Sequence, residues 1–270
     1  MIPMTEWRWP APAGSPAMRN AWRSYRMVRR RVLEDYQRNL ERRAAIVGAR
    51  ARRLRGSTTL PRRGRRQWSD PDVIDARSRQ VELPGRGRLF VHEVAGPPGA
   101  ATVVLLHGWG GTATGNWATA MPALARDFRV VAPDLRGHDT ASVDDVVAMV
   151  DELGIDRFIA VGYSLGSAVA AQLGRRHPDR VDGLVLCAAA GVSAPPVGAA
   201  DLPTAVVVTR EDRLIPASRQ LELARVFPGA SVHPVDGNHF AFARAEVFVP
   251  ALLAACHSVA GRAGERDVNV

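Results

Sequence analysis

From residue 81 to residue 260 the sequence alternates short β-branched and apolar runs with longer stretches of helical periodicity, and few folds accommodate that alternation. Residues 81–83 and 89–94 flank Pro84-Gly85-Arg86-Gly87, a hairpin signal. Runs at 101–106, 128–132, 157–161, 181–188, 204–208 and 231–235 each have the length of a strand. Helical stretches at 116–126, 143–153, 165–176, 217–226 and 240–260 separate them. Strands that alternate with helices at this spacing pair in parallel and are covered on both faces. The expectation is therefore an α/β domain, with a mostly parallel eight-stranded sheet and helices on both faces. In such a sheet the chemistry gathers at the carboxyl ends of the strands.

The first 80 residues have a different character. They hold 20 arginines against 7 carboxylates, a balance of +13, whereas residues 81–270 are mildly acidic at −4. Residues 1–17, with four prolines, read as an irregular tail. Over 18–55, Trp22, Tyr25, Val28, Val32, Tyr36, Leu40, Ala44, Val47, Ala51 and Leu54 recur every three or four positions, which predicts a long basic amphipathic helix. Residues 56–78 read as a linker, 79–262 as the α/β domain and 263–270 as a C-terminal tail. The chain contains no lysine, so its arginine count reflects coding bias as much as chemistry, and no nucleic-acid partner is expected. No run of 18 uncharged apolar residues predicts a membrane span, and the proline-rich start does not resemble a signal peptide. Two cysteines, Cys187 and Cys256, fit neither a disulfide framework nor a zinc site, so a cytoplasmic setting is the default.

Three segments carry chemistry. Gly162-Tyr163-Ser164-Leu165-Gly166 stands between a Val-rich strand and an Ala-rich helix. A turn tight enough to raise a nucleophile brings the residues two positions either side against strand and helix, so glycine is needed there. Asp212 follows the strand at 204–208, four residues ahead of Pro216. Glu211 is its competitor for the same role. Gly237-Asn238-His239-Phe240 follows the last strand. Separations of 48 residues from Ser164 to Asp212 and 27 from Asp212 to His239 let each sit on its own loop, in the order Ser, Asp, His.

With the strand ending in His107-Gly108-Trp109-Gly110-Gly111, these segments resemble the α/β-hydrolases, over about 180 residues. The resemblance implies Ser164 as nucleophile, His239 as general base and Asp212 as the acid that orients it. It implies an oxyanion hole from the backbone N–H groups of Trp109 and Leu165, and a structural role for His107 and for Pro133-Asp134-Leu135-Arg136-Gly137-His138. His92, His138, His177, His233 and His257 are expected at the surface or as caps. Many members insert a helical cap after the sixth strand. Here residues 188–202 are too short for one, so the site is expected to be open or covered by another segment.

A serine nucleophile implies acyl-enzyme chemistry on a small-molecule acyl substrate, with no metal or other cofactor. Ester hydrolysis leads. Acyl transfer, perhydrolysis or peptide cleavage by the same residues, and a non-catalytic binding protein on the same fold, remain open. So do three roles for residues 18–55: docking on the core, peripheral contact with an anionic membrane, and self-association or lid formation.

Overall fold

The structure, a computed structural model, describes residues 76–189 and 202–268. The helix expected over 18–55 and most of the loop expected to replace a cap lie outside the described residues. Eight strands form one sheet: β1 (Ala76–Leu83), β2 (Gly87–Val94), β3 (Thr102–Leu106), β4 (Arg129–Pro133), β5 (Phe158–Tyr163), β6 (Val181–Cys187), β7 (Thr204–Thr209) and β8 (Ser231–Val235). Their order is β1-β2-β4-β3-β5-β6-β7-β8. Only β1–β2 and β2–β4 pair antiparallel; the rest is parallel. From β3 the chain steps to β4 on one side and then to β5 on the other. The carboxyl ends of β3 and β5 therefore flank the crevice where strand order reverses.

The helices are α1 (Ala113–Trp117), α2 (Met121–Leu124), α3 (Thr140–Glu152), α4 (Leu165–Arg176), α5 (Ala217–Val226) and α6 (Ala245–Val268). Alternation along β3 divides the core. Val103 and Leu105 point to one face with Trp117, Leu124, Phe248, Leu252 and Val259 of α1, α2 and α6. Val104 and Leu106 point to the other with Val146, Met149, Val169, Leu173 and Leu223 of α3, α4 and α5. Each fully buried Leu, Val or Phe contributes about 1.5–3 kcal/mol relative to exposure, which holds the strand ends rigid beneath the loops.

Several boundaries differ from expectation. β1 begins at Ala76, inside the expected linker, because the hairpin ladder continues to an Ala76–Val94 pair. The single helix expected over 116–126 is two short ones: Ala120 N–H turns back to the Trp117 carbonyl, and Pro122 starts α2 afresh. The helix expected over 240–260 is a 3₁₀ turn at Ala241–Ala243 followed by α6, broken at Arg244, which has φ −107 and ψ 83. The tail expected at 263–270 is helical through Val268. There Arg262 staples α6 to the sheet, its guanidinium donating to the carbonyls of Thr204 at 2.8 Å and Gly229 at 2.6 Å. Ala245–Gly264 is long and apolar enough by composition to cross a membrane, yet Phe248, Leu252, Ala255, Cys256 and Val259 bury one of its faces against the sheet.

One polar cluster positions the loop after β4. Asp145 of α3 is 3% exposed and accepts from Arg86 Nε and Arg136 Nε, both at 2.7 Å. Arg136 also donates to the Arg86 carbonyl. The β1–β2 turn, the loop from 134 to 139 and α3 are thereby tied at one carboxylate, a buried ion with both partners present.

Candidate active site

Ser164 leaves β5 with φ 53 and ψ −119, outside the regions that L residues ordinarily occupy. The neighbouring glycines allow it. A Cβ at Gly162 would collide with the backbone of Gly166 and Ser167, and one at Gly166 with the carbonyl oxygens of Leu106 and His107. Ser164 N–H donates to the Cys187 carbonyl at 2.9 Å, and the buried Ser167 hydroxyl donates to the Gly162 carbonyl at 2.8 Å. The strain is held in place by β6 and by the first turn of α4. Ser164 itself stays half-buried, its hydroxyl raised above the sheet.

His239 and Asp212 meet it there. His239 Nε2 lies 3.1 Å from Ser164 Oγ, and Nδ1 lies 2.7 Å from Asp212 Oδ2. An ionised carboxylate only accepts, so Nδ1 carries the proton and Nε2 is free to accept from the serine hydroxyl. The Asp212 side chain is 0% exposed, and four further donors surround it. Leu214 N–H and Ile215 N–H reach Oδ1, both at 2.8 Å; Thr209 Oγ1 at 2.9 Å and Gln220 Nε2 at 3.2 Å reach Oδ2. Glu211, the competitor, is exposed and contributes its backbone N–H to the Gly237 carbonyl at 3.0 Å. Of the two adjacent acids, the structure brings Asp212 to the histidine.

The loop after β3 presses on the same point. A Cβ on Gly108 would sit 3.3 Å from Ser164 Cβ, so the absent side chain lets this backbone approach Ser164. Asn116 of α1, 2% exposed, accepts the Gly108 N–H at 3.1 Å, and Gly111 N–H closes the turn on the Gly108 carbonyl at 3.1 Å. Trp109 follows, its indole 48% exposed at the rim. Leu165 opens α4, where helix N–H groups have no intrahelical acceptor.

His107 is a brace, 2% exposed. Its Nε2 accepts Leu135 N–H at 2.8 Å, so its proton sits on Nδ1, 2.9 Å from the Gly108 carbonyl. His138 was expected at the surface or as a cap. Instead it is half-buried, packs edge-on against the His107 ring at 5.5 Å and donates from Nε2 to the His107 carbonyl at 2.9 Å. Two residues before it, Arg136 is held by Asp145. Of the others, His177 does cap α4, donating its N–H to the Leu173 carbonyl, and His257 lies exposed beside Asp127.

Burial above all, with His138 acting in the same direction, holds the His107 imidazole down to about 4, against the raising effects of the Gly108 carbonyl and Asp134. An unfolded histidine titrates near 6.5. Below pH 6.5 the unfolded chain therefore takes up a proton that the folded chain refuses until about pH 4. Stability from this group is intact above pH 6.5 and is lost as pH falls through that window, by up to about 3 kcal/mol. Urea melts between pH 7 and pH 4 are expected to show the decline. In His107→Gln the slope should flatten by up to about 1.4 kcal/mol per pH unit; an unchanged slope would remove His107 as its source.

The residues missed by sequence reasoning are Tyr163, Asn116, Thr209 and Gln220. Tyr163 occupies the variable position of the glycine motif, and the other three carry no local pattern. Tyr163 reaches its partner across 76 residues, Asn116 and Gln220 across eight, and Thr209 lies only three residues from Asp212.

The sequence profile of the α/β hydrolase fold matches residues 101–203. A 2-hydroxymuconate semialdehyde hydrolase of Pseudomonas sp. (strain CF600) is 39% identical over 107 residues, 34% of this chain and 38% of that one. A 2-hydroxy-6-oxo-2,4-heptadienoate hydrolase of Pseudomonas putida is 37% identical over 135 residues, 44% of this chain and 48% of that one. The chain thus spans less than half the length of these curated relatives. Among solved structures, the enol-lactonase from Burkholderia xenovorans LB400 is similar with a TM-score of 0.56 and 20% identity, over 66% of this chain and 100% of that one. The 2-hydroxy-6-oxo-6-phenylhexa-2,4-dienoate hydrolase from Rhodococcus sp. strain RHA1 has the same TM-score and identity, over 68% and 100%. These likenesses establish the fold.

Proposed function

On the premise that this chain has the α/β-hydrolase fold, we propose that it is a serine hydrolase that cleaves a carboxylic ester through an acyl-Ser164 intermediate. The observation that carries this reading is the unbroken chain from Ser164 Oγ through both ring nitrogens of His239 to the buried Asp212 carboxylate. His239 Nε2 takes the hydroxyl proton as Oγ bonds to the acyl carbon. The imidazolium that forms is stabilised by Asp212, which its four other donors keep in place. Charge developing on the acyl oxygen falls to the N–H groups of Trp109 and Leu165, beside a loop that Gly108 brings against the serine. The tetrahedral adduct collapses, the leaving alcohol takes the proton from His239, and the acyl–Ser164 ester remains. Water, deprotonated by the same nitrogen, then attacks that ester and releases the acid, restoring serine and histidine. The balance is ester plus water to acid plus alcohol.

A p-nitrophenyl ester series of increasing acyl length tests this, with a fluorophosphonate probe for an activated serine. Turnover of at least one ester and labelling at Ser164 are expected. Failure of every ester together with no labelling would defeat the reading. A second reading is favoured by the two relatives at 37% and 39% identity. Their names describe hydroxy-oxo-dienoate-type substrates, which have no ester, so hydrolysis there must break a carbon–carbon bond next to a carbonyl. Labelling at Ser164 with turnover of a 2-hydroxy-6-oxo-dienoate, and none of the esters, would select that reading.

A further inference from the structure

We infer that Tyr163 is a positioning residue that sets the general base through its backbone, an inference that rests on the catalytic reading of Ser164 and His239. The two ring contacts of His239 fix where the imidazole points but leave its main chain, in the loop between β8 and α6, to be placed by something else. Tyr163, the last residue of β5, does this. Its hydroxyl donates to the His239 carbonyl at 2.8 Å, across 76 residues of sequence.

Strand geometry explains why this residue reaches that atom. Val161 and Tyr163 share the face of the sheet covered by α1 and α6, while Gly162 lies on the other face. The chain enters α6 over the same face through the 3₁₀ turn at Ala241–Ala243. Tyr163 is 1% exposed and wedged among aromatic rings, with centroids 5.1 Å from Phe242, 5.7 Å from Phe248 and 6.1 Å from Trp117. Its ring also meets the His239 imidazole edge-on at 5.9 Å. A phenol held on every side cannot swing, so the position of its oxygen is a fixed reference for the loop. The residue next to the nucleophile thus carries the base, and Ser164 and His239 are registered to each other by one rigid side chain. Burial holds the phenol well above its ordinary value, helped by the Asp212 charge, so it remains a donor across the working pH range.

The neighbouring anchor gives a control. Thr119 Oγ1 donates to the Phe242 carbonyl at 3.0 Å, holding the same loop three residues further on without touching His239. Tyr163→Phe keeps the ring and its packing and removes only the hydroxyl. With an ester that the wild type turns over, Tyr163→Phe is expected to lower kcat by roughly 10–100-fold with KM within about twofold, since a misplacement on the order of 1 Å at a reacting group costs about 10². Fluorophosphonate labelling of Ser164 should slow in the same proportion, because that step needs serine–histidine alignment and no particular acyl group. Thr119→Val should lose comparable thermal stability and keep its kcat. Tyr163→Phe retaining at least half the wild-type kcat and labelling rate, at a temperature where it is folded, would overturn the inference. So would an equal loss of kcat in Thr119→Val, which would make the effect one of general loop stability. Failure of wild type itself to label would count against the catalytic reading instead, so the two are separable.

Discussion

Ser164→Ala is expected to lower kcat on the order of 10⁶-fold on any ester the protein cleaves, with KM little changed and labelling by fluorophosphonate abolished. This hydroxyl lies 3.1 Å from His239 Nε2, and Asp212 holds the ring proton on Nδ1, so Nε2 is able to accept. Without it His239 retains its partner Asp212 but has no nucleophile to activate. What persists, roughly 10³-fold over water, is the work of the oxyanion donors and of substrate positioning. The fold should tolerate the change, since alanine accepts the φ of 53 no worse than serine. Ser164→Gly should be equally inactive yet gain about 1 kcal/mol in stability, because glycine relieves the strain at that position. Steady-state kinetics and thermal melts of the two variants check both halves. Substantial activity in Ser164→Ala would remove the acyl-serine route, whatever the substrate.

The second large effect is at Asp212. In Asp212→Asn the retained oxygen still accepts from Leu214 and Ile215, which confines the new amide nitrogen to the place of Oδ2. That nitrogen is a donor and faces His239 Nδ1 at the 2.7 Å position. The imidazole must then accept on Nδ1 and carry its proton on Nε2, toward a serine hydroxyl it can no longer deprotonate. A loss of kcat on the order of 10⁴ follows from the wrong tautomer alone. Glu211→Gln alters an exposed side chain and should leave kcat within about twofold. Kinetics showing the larger loss at Glu211 would reassign the acid and refute the hydrogen-bond pattern around Oδ2.

The elements legible in sequence were those set by local physics. The elbow was legible because Gly162 and Gly166 have backbone neighbours where a Cβ would sit, and α4 begins where expected, at Leu165, directly after it. β7 was legible as a continuous apolar and β-branched run between turn residues. Boundaries failed where a distant partner extended or interrupted an element. Val94 opposite Ala76 lengthened β1, and the staple from Arg262 to Thr204 and Gly229 holds the helix expected to end at 260 against the sheet. His138 failed for the same reason, since nothing in Arg136-Gly137-His138 announces that the ring will meet the His107 carbonyl, 31 residues away.

The sequence alone determined the class of sheet, the tight turn at Ser164 and the loops that carry Asp212 and His239, because each depends on residues within a few positions of one another. Only the tertiary structure decided that Asp212 and not Glu211 faces the histidine, that Gln220 reaches its carboxylate, that Asn116 and His107 fix the loop after β3, and that the Tyr163 hydroxyl meets the His239 carbonyl. Those contacts join segments up to 76 residues apart. Their geometry is set by strand order and core packing, which bring the carboxyl ends of β3, β5, β7 and β8 together around Ser164.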